Sequence, residues 1–231
     1  MISNLKAVFF DLDDTLIDHA ACERQALMHM FCNIGIDYKA SYQDAFRPLD
    51  WALWNGTYDS ASPILREEIP VYRFARLFEM LDIRYGNLSR ANDLFQEGFA
   101  QANDLLEYAV EIIEYIHGKG LPICIVTNGI IRLQKPRVLN SGVGKYISHI
   151  MVSEEAGVQK PDPLIFKLLL QRIGMAPEDV VMIGDKLQLD VQGAKNAGIR
   201  SIWYNPGRDE NKTKLMPDYE IQDLRTLKEI I

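Results

Sequence analysis

The chain has 231 residues, of which 48% are hydrophobic and 25% are charged, a composition typical of a folded globular protein. At this length a chain can build a core without disulfides or a structural metal, in one large domain or two small ones. Its 25 basic residues stand against 32 acidic ones, for a net charge of −7. This acidic balance, with no block of like charges, argues against DNA or RNA polymers as partners.

Membrane insertion and secretion are both disfavoured by the hydrophobic pattern. The apolar run Leu121 to Val126 is far shorter than the roughly 20 residues that cross a bilayer. The run Ala7 to Phe10 is short too and ends at Asp11, so we expect no secretory signal. Three widely spaced cysteines fit neither a disulfide framework nor a zinc site, and we expect them to be buried, inert thiols of a cytoplasmic protein: Cys22, Cys32 and Cys124.

The first part of the chain predicts one strand followed by a helical insertion. Ala7 to Phe10 is a short apolar run typical of a buried strand. Cys22 to Asn33 and Tyr72 to Leu81 then place apolar side chains on one helical face. We therefore predict an α-helical cap domain over residues 19–99, inserted into a core domain formed by residues 1–18 and 100–231.

Strand and helix patterns alternate in the second half of the chain. Four runs have the composition of strands: Leu121 to Thr127, His149 to Ser153, Val180 to Gly184 and Ile199 to Tyr204. Helical patterns lie between them, one from Leu164 towards Gly174 and one from Val191 to Ala197. Together they predict an α/β fold with a Rossmann-like, doubly wound parallel sheet, whose ligands bind at the carboxyl ends of the strands.

Acidic residues follow two of these strands. Asp11 and Asp13 come directly after the first strand, and alternation along a strand turns both to the same side. Two adjacent carboxylates repel each other unless a cation or hydrogen-bond donors hold them. A solvated acidic turn or a helix N-cap is the alternative explanation of the pair, whereas an EF-hand is excluded because Leu16 occupies the position that requires glycine.

A second acidic segment strengthens the interpretation as a metal site. Asp185 ends the strand Val180 to Gly184, and Asp190 follows at the start of the next helix. Carboxylates from distant parts of a chain that meet at one sheet edge provide the oxygen ligands that Mg²⁺ prefers. The sequence therefore predicts a Mg²⁺ site at this edge.

Two further segments could hold a phosphate group. Thr127, Asn128 and Gly129 offer a hydroxyl and backbone N–H groups in a turn, although an ordinary turn has the same sequence. Lys160 precedes a helix that Pro161 helps to start. A lone lysine is usually solvated, but beside several carboxylates it would act as a positive charge in the site.

These segments together resemble the four motifs of the haloacid dehalogenase superfamily, in their order and rough spacing. The matching segments are Asp11-Leu12-Asp13-Asp14-Thr15, Thr127-Asn128, Lys160-Pro161, and Gly184-Asp185 through Asp190. The stretch Ser153 to Pro163 is similar to the phosphatase side of the superfamily. Within the helical insertion, Leu53 to Tyr58 and Arg73 to Phe78 resemble the pyrimidine 5′-nucleotidase branch.

The resemblance implies a role for each matching residue. Asp11 would be the nucleophile that forms an aspartyl phosphate, and Asp13 the general acid and base. Mg²⁺ would be held by Asp11, the carbonyl of Asp13 and Asp185, while Asp190 would bind the metal or orient Lys160. Three residues would hold the phosphoryl oxygens: Thr127, Asn128 and Lys160.

The implied function is a Mg²⁺-dependent phosphomonoester hydrolase that acts on a small molecule, with nucleoside monophosphates as the leading substrate class. The carboxyl of Asp13 favours phosphoester chemistry, because a departing halide would need no proton. The alternatives are a sugar-phosphate or phosphoglycolate phosphatase, a phosphosugar mutase, and a catalytically idle binding module of the same fold. We expect a monomer or a homodimer.

Three further residues also carry expectations. Lys186 stands where phosphatase relatives more often have a small polar residue, and it would face solvent, weaken metal binding or reach an anionic substrate. His19 lies close to the first motif and would mark a hinge of the cap or contact the substrate. Trp51 has helical spacing and is expected in the core of the insertion.

Overall fold

The computed structural model describes residues 2, 4–58 and 64–231. It divides into two compact units, one formed by Met1–His19 and Asn103–Ile231, the other by Ala20–Ala102. The divisions fall at 19/20 and 102/103, against the expected 18/19 and 99/100. The role of the second unit as a cap stays a prediction.

The described residues form the following elements in chain order. The strands are β1 Ala7–Phe10, β2 Ile123–Thr127, β3 Ile147–Val152, β4 Val180–Gly184, β5 Arg200–Tyr204 and β6 Tyr219–Ile221. The α-helices are α1 His19–Asn33, α2 Ala40–Trp54, α3 Ile69–Met80, α4 Leu88–Gln101, α5 Ala109–Gly118, α6 Ile131–Leu139, α7 Ser153–Ala156, α8 Pro163–Ile173, α9 Gln192–Ala197 and α10 Leu227–Ile230. A π-helical turn, Leu187–Val191, precedes α9.

The six strands pair in parallel, in the order β3-β2-β1-β4-β5-β6, which confirms the predicted doubly wound α/β fold. Every residue of β1, β2 and β4 is buried, as expected when helices cover both faces of a parallel sheet. β1 and β4 have the predicted bounds. β3 begins two residues before the predicted run and ends one before it, and β6 was not predicted.

The topology brings the ends of three strands together. The chain leaves β1 for β2 on one side and later adds β4 on the other, so β1 lies at the switch point of the strand order. Phe10, the last residue of β1, is in register with Ile125 of β2 and Ile183 of β4. Residues that follow these strands therefore lie at the same edge of the sheet.

Helix α8 illustrates how local sequence fixes the elements that flank the site. The side chain of Asp162 accepts a hydrogen bond from the Leu164 N–H at 2.8 Å, and Pro163 occupies the first turn. The helix ends at Gly174, whose φ of +67° is the left-handed conformation that glycine adopts readily. Its apolar face, with Phe166 and Leu169, packs into the core beneath the sheet. Burial of each of these side chains contributes roughly 1.5–3 kcal/mol to the free energy of unfolding.

The second unit contains α2, α3, α4 and most of α1, packed around aromatic side chains. Phe74 stacks on Phe46 with ring centroids 5.7 Å apart, and Phe95 completes the cluster. The guanidinium of Arg73 lies over these rings and pairs with Asp50 at 3.0 Å. This buried charge is therefore satisfied within the unit.

Two expectations on buried side chains were wrong. Trp51 is 63% exposed, because the buried face of α2 is formed by Phe46, Leu49 and Leu53 instead. Cys32 is exposed near the end of α1, whereas Cys124 is buried in β2, where burial raises the pKa of its thiol to about 12.

Among the described residues, no helix combines the length and the apolar character that a membrane span requires.

Candidate active site

Asp11 occupies the first position after β1 and is almost fully buried. Its backbone N–H donates to the carbonyl of Ile183 at 2.9 Å, which continues the β1–β4 pairing beyond the end of the strand. The direction of the Asp11 side chain is therefore set by the sheet. Burial raises the pKa of the Asp11 carboxyl to about 7, with Lys160 opposing the rise and Asp190 adding to it.

Lys160 joins the ends of three chain segments. Its Nζ lies 2.6 Å from Oδ1 of Asp11, 2.6 Å from Oδ1 of Asp190 and 2.9 Å from the carbonyl oxygen of Val126. These three acceptors match the three donors of an ammonium group. Burial alone would lower the pKa of Lys160, but the two carboxylates raise it above its ordinary value, so the ammonium stays charged.

Asp190 lies in the π-helical turn and is almost completely buried. One of its oxygens contacts Lys160, and the other accepts the Lys186 backbone N–H at 3.0 Å. Gly184 makes this arrangement possible, because a Cβ at that position would lie 2.3 Å from Cγ of Asp190. Both carboxylate oxygens of Asp190 are therefore engaged, one by Lys160 and the other by the backbone of Lys186.

Asp185 directly follows β4, and only one of its two carboxylate oxygens has a partner among the described residues. Oδ2 forms an ion pair with Nζ of Lys186, whereas the buried Oδ1 has no hydrogen-bond partner in the described part of the chain. The indole N–H of Trp203 donates to the Asp185 carbonyl at 2.9 Å and so anchors the backbone. Burial raises the pKa of the Asp185 carboxyl to about 6, with Lys186 opposing it.

The acidic residues at this edge fit a divalent cation. Asp11, Asp185 and Asp190 each place a carboxylate oxygen within 4.8 Å of the others. Oδ1 of Asp185 is a buried acceptor that lacks a donor among the described residues, as a ligand atom would. Carboxylate oxygens without sulfur or imidazole are the ligands of Mg²⁺ rather than of zinc or copper.

Asp13 lies near the same edge but contacts a different set of residues. Its Oδ1 pairs with Nη2 of Arg137 at 2.7 Å and with Nδ1 of His19 at 3.2 Å. Its Oδ2 accepts a hydrogen bond from Nε2 of Gln134 at 3.0 Å. Burial would raise the pKa of Asp13, but Arg137 and His19 hold it well below its usual range.

The predicted phosphate-binding turn lies between these two groups. Asn128 exchanges two hydrogen bonds with the backbone of Lys160, accepting its N–H at 2.8 Å and donating to its carbonyl at 3.2 Å. The hydroxyl of Thr127 accepts a hydrogen bond from Nε2 of Gln134 at 2.9 Å. The structure thus brings the end of β2 beside both Lys160 and Asp13.

Two residues of this site were not singled out in the sequence. Gln134 and Arg137 lie in α6, and both are buried. Nothing in the sequence of α6 separates Arg137 from its neighbours Arg132 and Lys135. The one signal in the sequence is spacing, since positions i and i+3 share a helical face.

A cavity of about 490 Å³ borders the acidic cluster within the first unit. Its lining includes Asp14, Asp185, Lys186, Trp203 and Lys212. Lys186 extends along this cavity with 55% of its side chain exposed, so it is solvated as well as paired with Asp185. The volume lies in the range of small-molecule pockets.

Comparison with known proteins agrees with this geometry. The chain is 34% identical over 226 residues to pyrimidine 5′-nucleotidase PynA of Streptococcus pneumoniae, covering 96% of this chain and 93% of that protein. It is 28% identical over 241 residues to a phosphoserine phosphatase of Thermus thermophilus, with 96% and 97% of the two chains covered. Both relatives are therefore similar over nearly their full length.

A solved structure shows the same fold. The magnesium-bound HAD hydrolase YfnB of Bacillus subtilis superposes with a TM-score of 0.86 at 27% identity, over 99% of each chain. The family model of the haloacid dehalogenase-like hydrolases matches residues 5–198, which include every motif described above. The chain is thus an enzyme of the haloacid dehalogenase-like hydrolase family.

Proposed function

We propose that this enzyme hydrolyses small phosphate monoesters through an aspartyl phosphate formed on Asp11, with Mg²⁺ as its cofactor. The observation that carries the proposal is the position of Asp11. Its carboxylate is buried at a strand end, lies 2.6 Å from the ammonium of Lys160, and shares an acidic cluster with Asp185 and Asp190. A carboxylate held in this way is oriented for attack on phosphorus.

The chain supplies both groups that a two-step displacement needs. In the first step an oxygen of Asp11 bonds to phosphorus as the ester oxygen departs, and a proton from the Asp13 carboxyl neutralises that oxygen. Because Arg137 and His19 favour the ionised form of Asp13 in the free enzyme, Asp13 takes up this proton when the substrate binds. In the second step the Asp13 carboxylate takes a proton from water, which attacks phosphorus and releases Asp11 and inorganic phosphate. Each step needs Asp13 in the opposite protonation state, so the two steps restore it.

Other residues hold the phosphoryl group. Lys160 places a positive charge beside the nucleophile, where the charge of an incoming phosphate must be balanced. The hydroxyl of Thr127 and the backbone N–H of Asn128 are further donors at the end of β2. These three groups belong to chain segments fixed by hydrogen bonds, so they are aligned before substrate binds.

Asp11, Asp185 and the carbonyl of Asp13 are the residues that would hold Mg²⁺, with Asp190 close by. The cation supplies the positive charge that lets an anionic carboxylate and an anionic phosphate approach each other. The unengaged Oδ1 of Asp185 supports this assignment.

Pyrimidine nucleoside 5′-monophosphates are the substrates we propose first. The similarity to the pneumococcal nucleotidase supports this choice, because its sequence identity to this chain is higher than that of the Thermus relative. Phosphoserine and sugar phosphates come second, since the Thermus relative is a phosphoserine phosphatase. Both candidates require the same chemistry at Asp11 and differ in the leaving group.

The test is release of inorganic phosphate by purified protein with Mg²⁺. The panel contains the pyrimidine and purine nucleoside monophosphates, phosphoserine, phosphoglycolate and hexose phosphates, ranked by kcat/KM. We expect the pyrimidine monophosphates to rank highest and chelation of Mg²⁺ to abolish turnover. Release of phosphate from no ester would refute the phosphatase assignment, and a different ranking would refute the nucleotidase assignment alone.

A further inference from the structure

Gln134 and Arg137 form a buried polar pair on one face of α6. Arg137 is fully buried, and Gln134 is 4% exposed. Nη1 of Arg137 donates to Oε1 of Gln134 at 2.7 Å, so each side chain fixes the other. The pair reaches from the helix to the edge of the sheet where the active site lies.

Arg137 and Gln134 together engage both oxygens of the Asp13 carboxylate. Nη2 of Arg137 contacts Oδ1 at 2.7 Å, and Nε2 of Gln134 contacts Oδ2 at 3.0 Å. The Asp13 side chain remains 26% exposed, in contrast to its buried partners. Two side chains of α6 therefore hold the carboxylate while part of the Asp13 side chain stays accessible.

Gln134 also couples Asp13 to the phosphate-binding turn. Its Nε2 lies 2.9 Å from Oγ1 of Thr127 and 3.1 Å from the carbonyl oxygen of Asn128, in addition to Asp13. An amide nitrogen has two N–H groups, so three acceptors compete for two donors. A shift of Gln134 would therefore move Asp13 and Thr127 together.

The local backbone is shaped to accept Gln134. Gly129 follows the turn with φ of +149°, and a Cβ there would lie 2.8 Å from Cγ of Gln134. Glycine is therefore required both for its conformation and for the space that it leaves. The sequence after β2 thus places the Gln134 side chain against the strand end.

We propose that Gln134 and Arg137 are positioning residues, which fix the carboxylate of Asp13 at the end of β2 for proton transfer to the leaving group. This inference rests on the proposed function. A buried arginine adds little stability over a well-packed apolar side chain, because its desolvation offsets the attraction to its partner. The contact with a partly exposed carboxylate instead indicates a role in catalysis, since small displacements of reacting groups slow a reaction strongly.

The test compares two leaving groups. A nucleoside or alkyl phosphate needs a proton from Asp13, whereas the p-nitrophenolate of p-nitrophenyl phosphate departs without one. kcat/KM reports the steps up to phosphoryl transfer to Asp11. In Arg137→Ala and Gln134→Met we expect kcat/KM for the nucleotide to fall by roughly 10²-fold, and for p-nitrophenyl phosphate by less than about 5-fold.

Three companion variants make the result specific. Asp13→Asn should show the same dependence on the leaving group. Arg137→Lys keeps a positive charge and should retain more activity on the nucleotide than Arg137→Ala. Adding guanidinium to Arg137→Ala should restore part of its lost activity. Lys135 lies on α6 as well, and its partly exposed side chain pairs with Glu155 of α7. Lys135→Ala removes this ion pair and should leave the activity on both substrates unaffected. If Arg137→Ala does not fold, Gln134→Met and Arg137→Lys decide the question.

The outcomes separate this inference from the proposed function. Equal losses for the two substrates in the α6 variants, or no loss, would overturn the inference while hydrolysis by the wild type stands. A lack of dependence on the leaving group in Asp13→Asn would instead refute the acid role of Asp13 and the inference with it. Release of phosphate by the wild type from neither of these esters nor any other in the panel would refute the proposed function itself.

Discussion

The ammonium nitrogen of Lys160 lies 2.6 Å from Oδ1 of Asp11 and 2.6 Å from Oδ1 of Asp190. One buried cation thus faces two buried carboxylates, and Asp185 adds a third acid to the cluster. Charges removed from water are costly unless they are paired and hydrogen-bonded. The excess of negative charge in the cluster therefore favours the binding of a second cation.

Removing the charge of Lys160 should destabilise the protein. Lys160→Met leaves Asp11 and Asp190 buried without their common partner, and we expect a loss of roughly 3–5 kcal/mol in the free energy of unfolding at about pH 8. The loss should shrink as the pH falls and the two carboxyls become protonated. Urea denaturation at high and low pH without divalent cation measures this.

The matched control is Lys6→Ala. Lys6 is 61% exposed and pairs with Asp179 at 3.0 Å. Exposed ion pairs contribute about 0–1 kcal/mol, so this variant should change stability little at either pH. If Lys160→Met were as mild as Lys6→Ala, Lys160 would not be the charge that holds the acidic cluster together.

Asp185→Asn should stabilise the protein when no divalent cation is present. The folded state holds the proton of Asp185 up to about pH 6, whereas the unfolded state releases it near 3.8, the ordinary pKa of an aspartate side chain. The folded state therefore binds more protons in this window, and the free energy of unfolding contributed by Asp185 falls as the pH rises through it. Asparagine carries no ionisable proton, so Asp185→Asn does not lose this part of the free energy of unfolding as the pH rises.

The expected gain for Asp185→Asn is about 3 kcal/mol above this window and none below it. Thermal and urea unfolding across the pH range measure it, with the exposed residue Asp93, changed to Asn, as a control that should leave the pH dependence unaltered. Added Mg²⁺ should stabilise the wild type and not Asp185→Asn, because binding to the folded state alone raises stability. A variant that is less stable at high pH would contradict this account.

Gly184→Ala should disrupt the site from within β4. The new Cβ would lie 2.3 Å from Cγ of Asp190, so the strand or the carboxylate must move. We expect a loss of more than about 2 kcal/mol and of most activity. Gly118→Ala, where a Cβ meets nothing within 4 Å, should be neutral or slightly stabilising in the same unfolding assay.

Lys186 should weaken the binding of a divalent cation. Its Nζ forms an ion pair with Asp185 and lies 4.0 Å from Oδ2 of Asp14, so it competes for a ligand and repels positive charge. Lys186→Met should lower the Mg²⁺ concentration for half-maximal activity by roughly 3–10-fold, equivalent to about 1 kcal/mol. Lys195→Met, on the exposed side of α9, should leave that concentration unchanged. A higher Mg²⁺ requirement in Lys186→Met would mean that Lys186 supports the site.

The fold could be predicted where strands are continuous apolar runs. β1 and β4 have their predicted bounds because buried parallel strands carry no polar interruption. β6 was not predicted, because it is three residues long and two of its residues are exposed. Helix α6 was not predicted either, because it is only nine residues long and contains Pro136.

The site could be predicted in part. The rule that ligands bind at the carboxyl ends of parallel strands led to Asp11, Thr127 and Asp185 without knowledge of contacts. Two of the partners of Asp13, Gln134 and Arg137, come from a helix more than a hundred residues later, and a polar side chain gives no sign in sequence of the residue that it contacts. The structure also has Asp190 oriented towards Lys160, while its role towards a metal stays a prediction.

The most direct test of the central claim is chemical trapping of the acyl phosphate. Enzyme that is turning over a substrate with Mg²⁺ is quenched and reduced with borohydride, which converts an aspartyl phosphate to homoserine, and the peptides are analysed by mass spectrometry. We predict homoserine at Asp11 in the wild type and none at that position in Asp11→Asn. Steady release of phosphate with Asp11 unmodified, or with the modification at Asp13 or Asp185, would contradict the account.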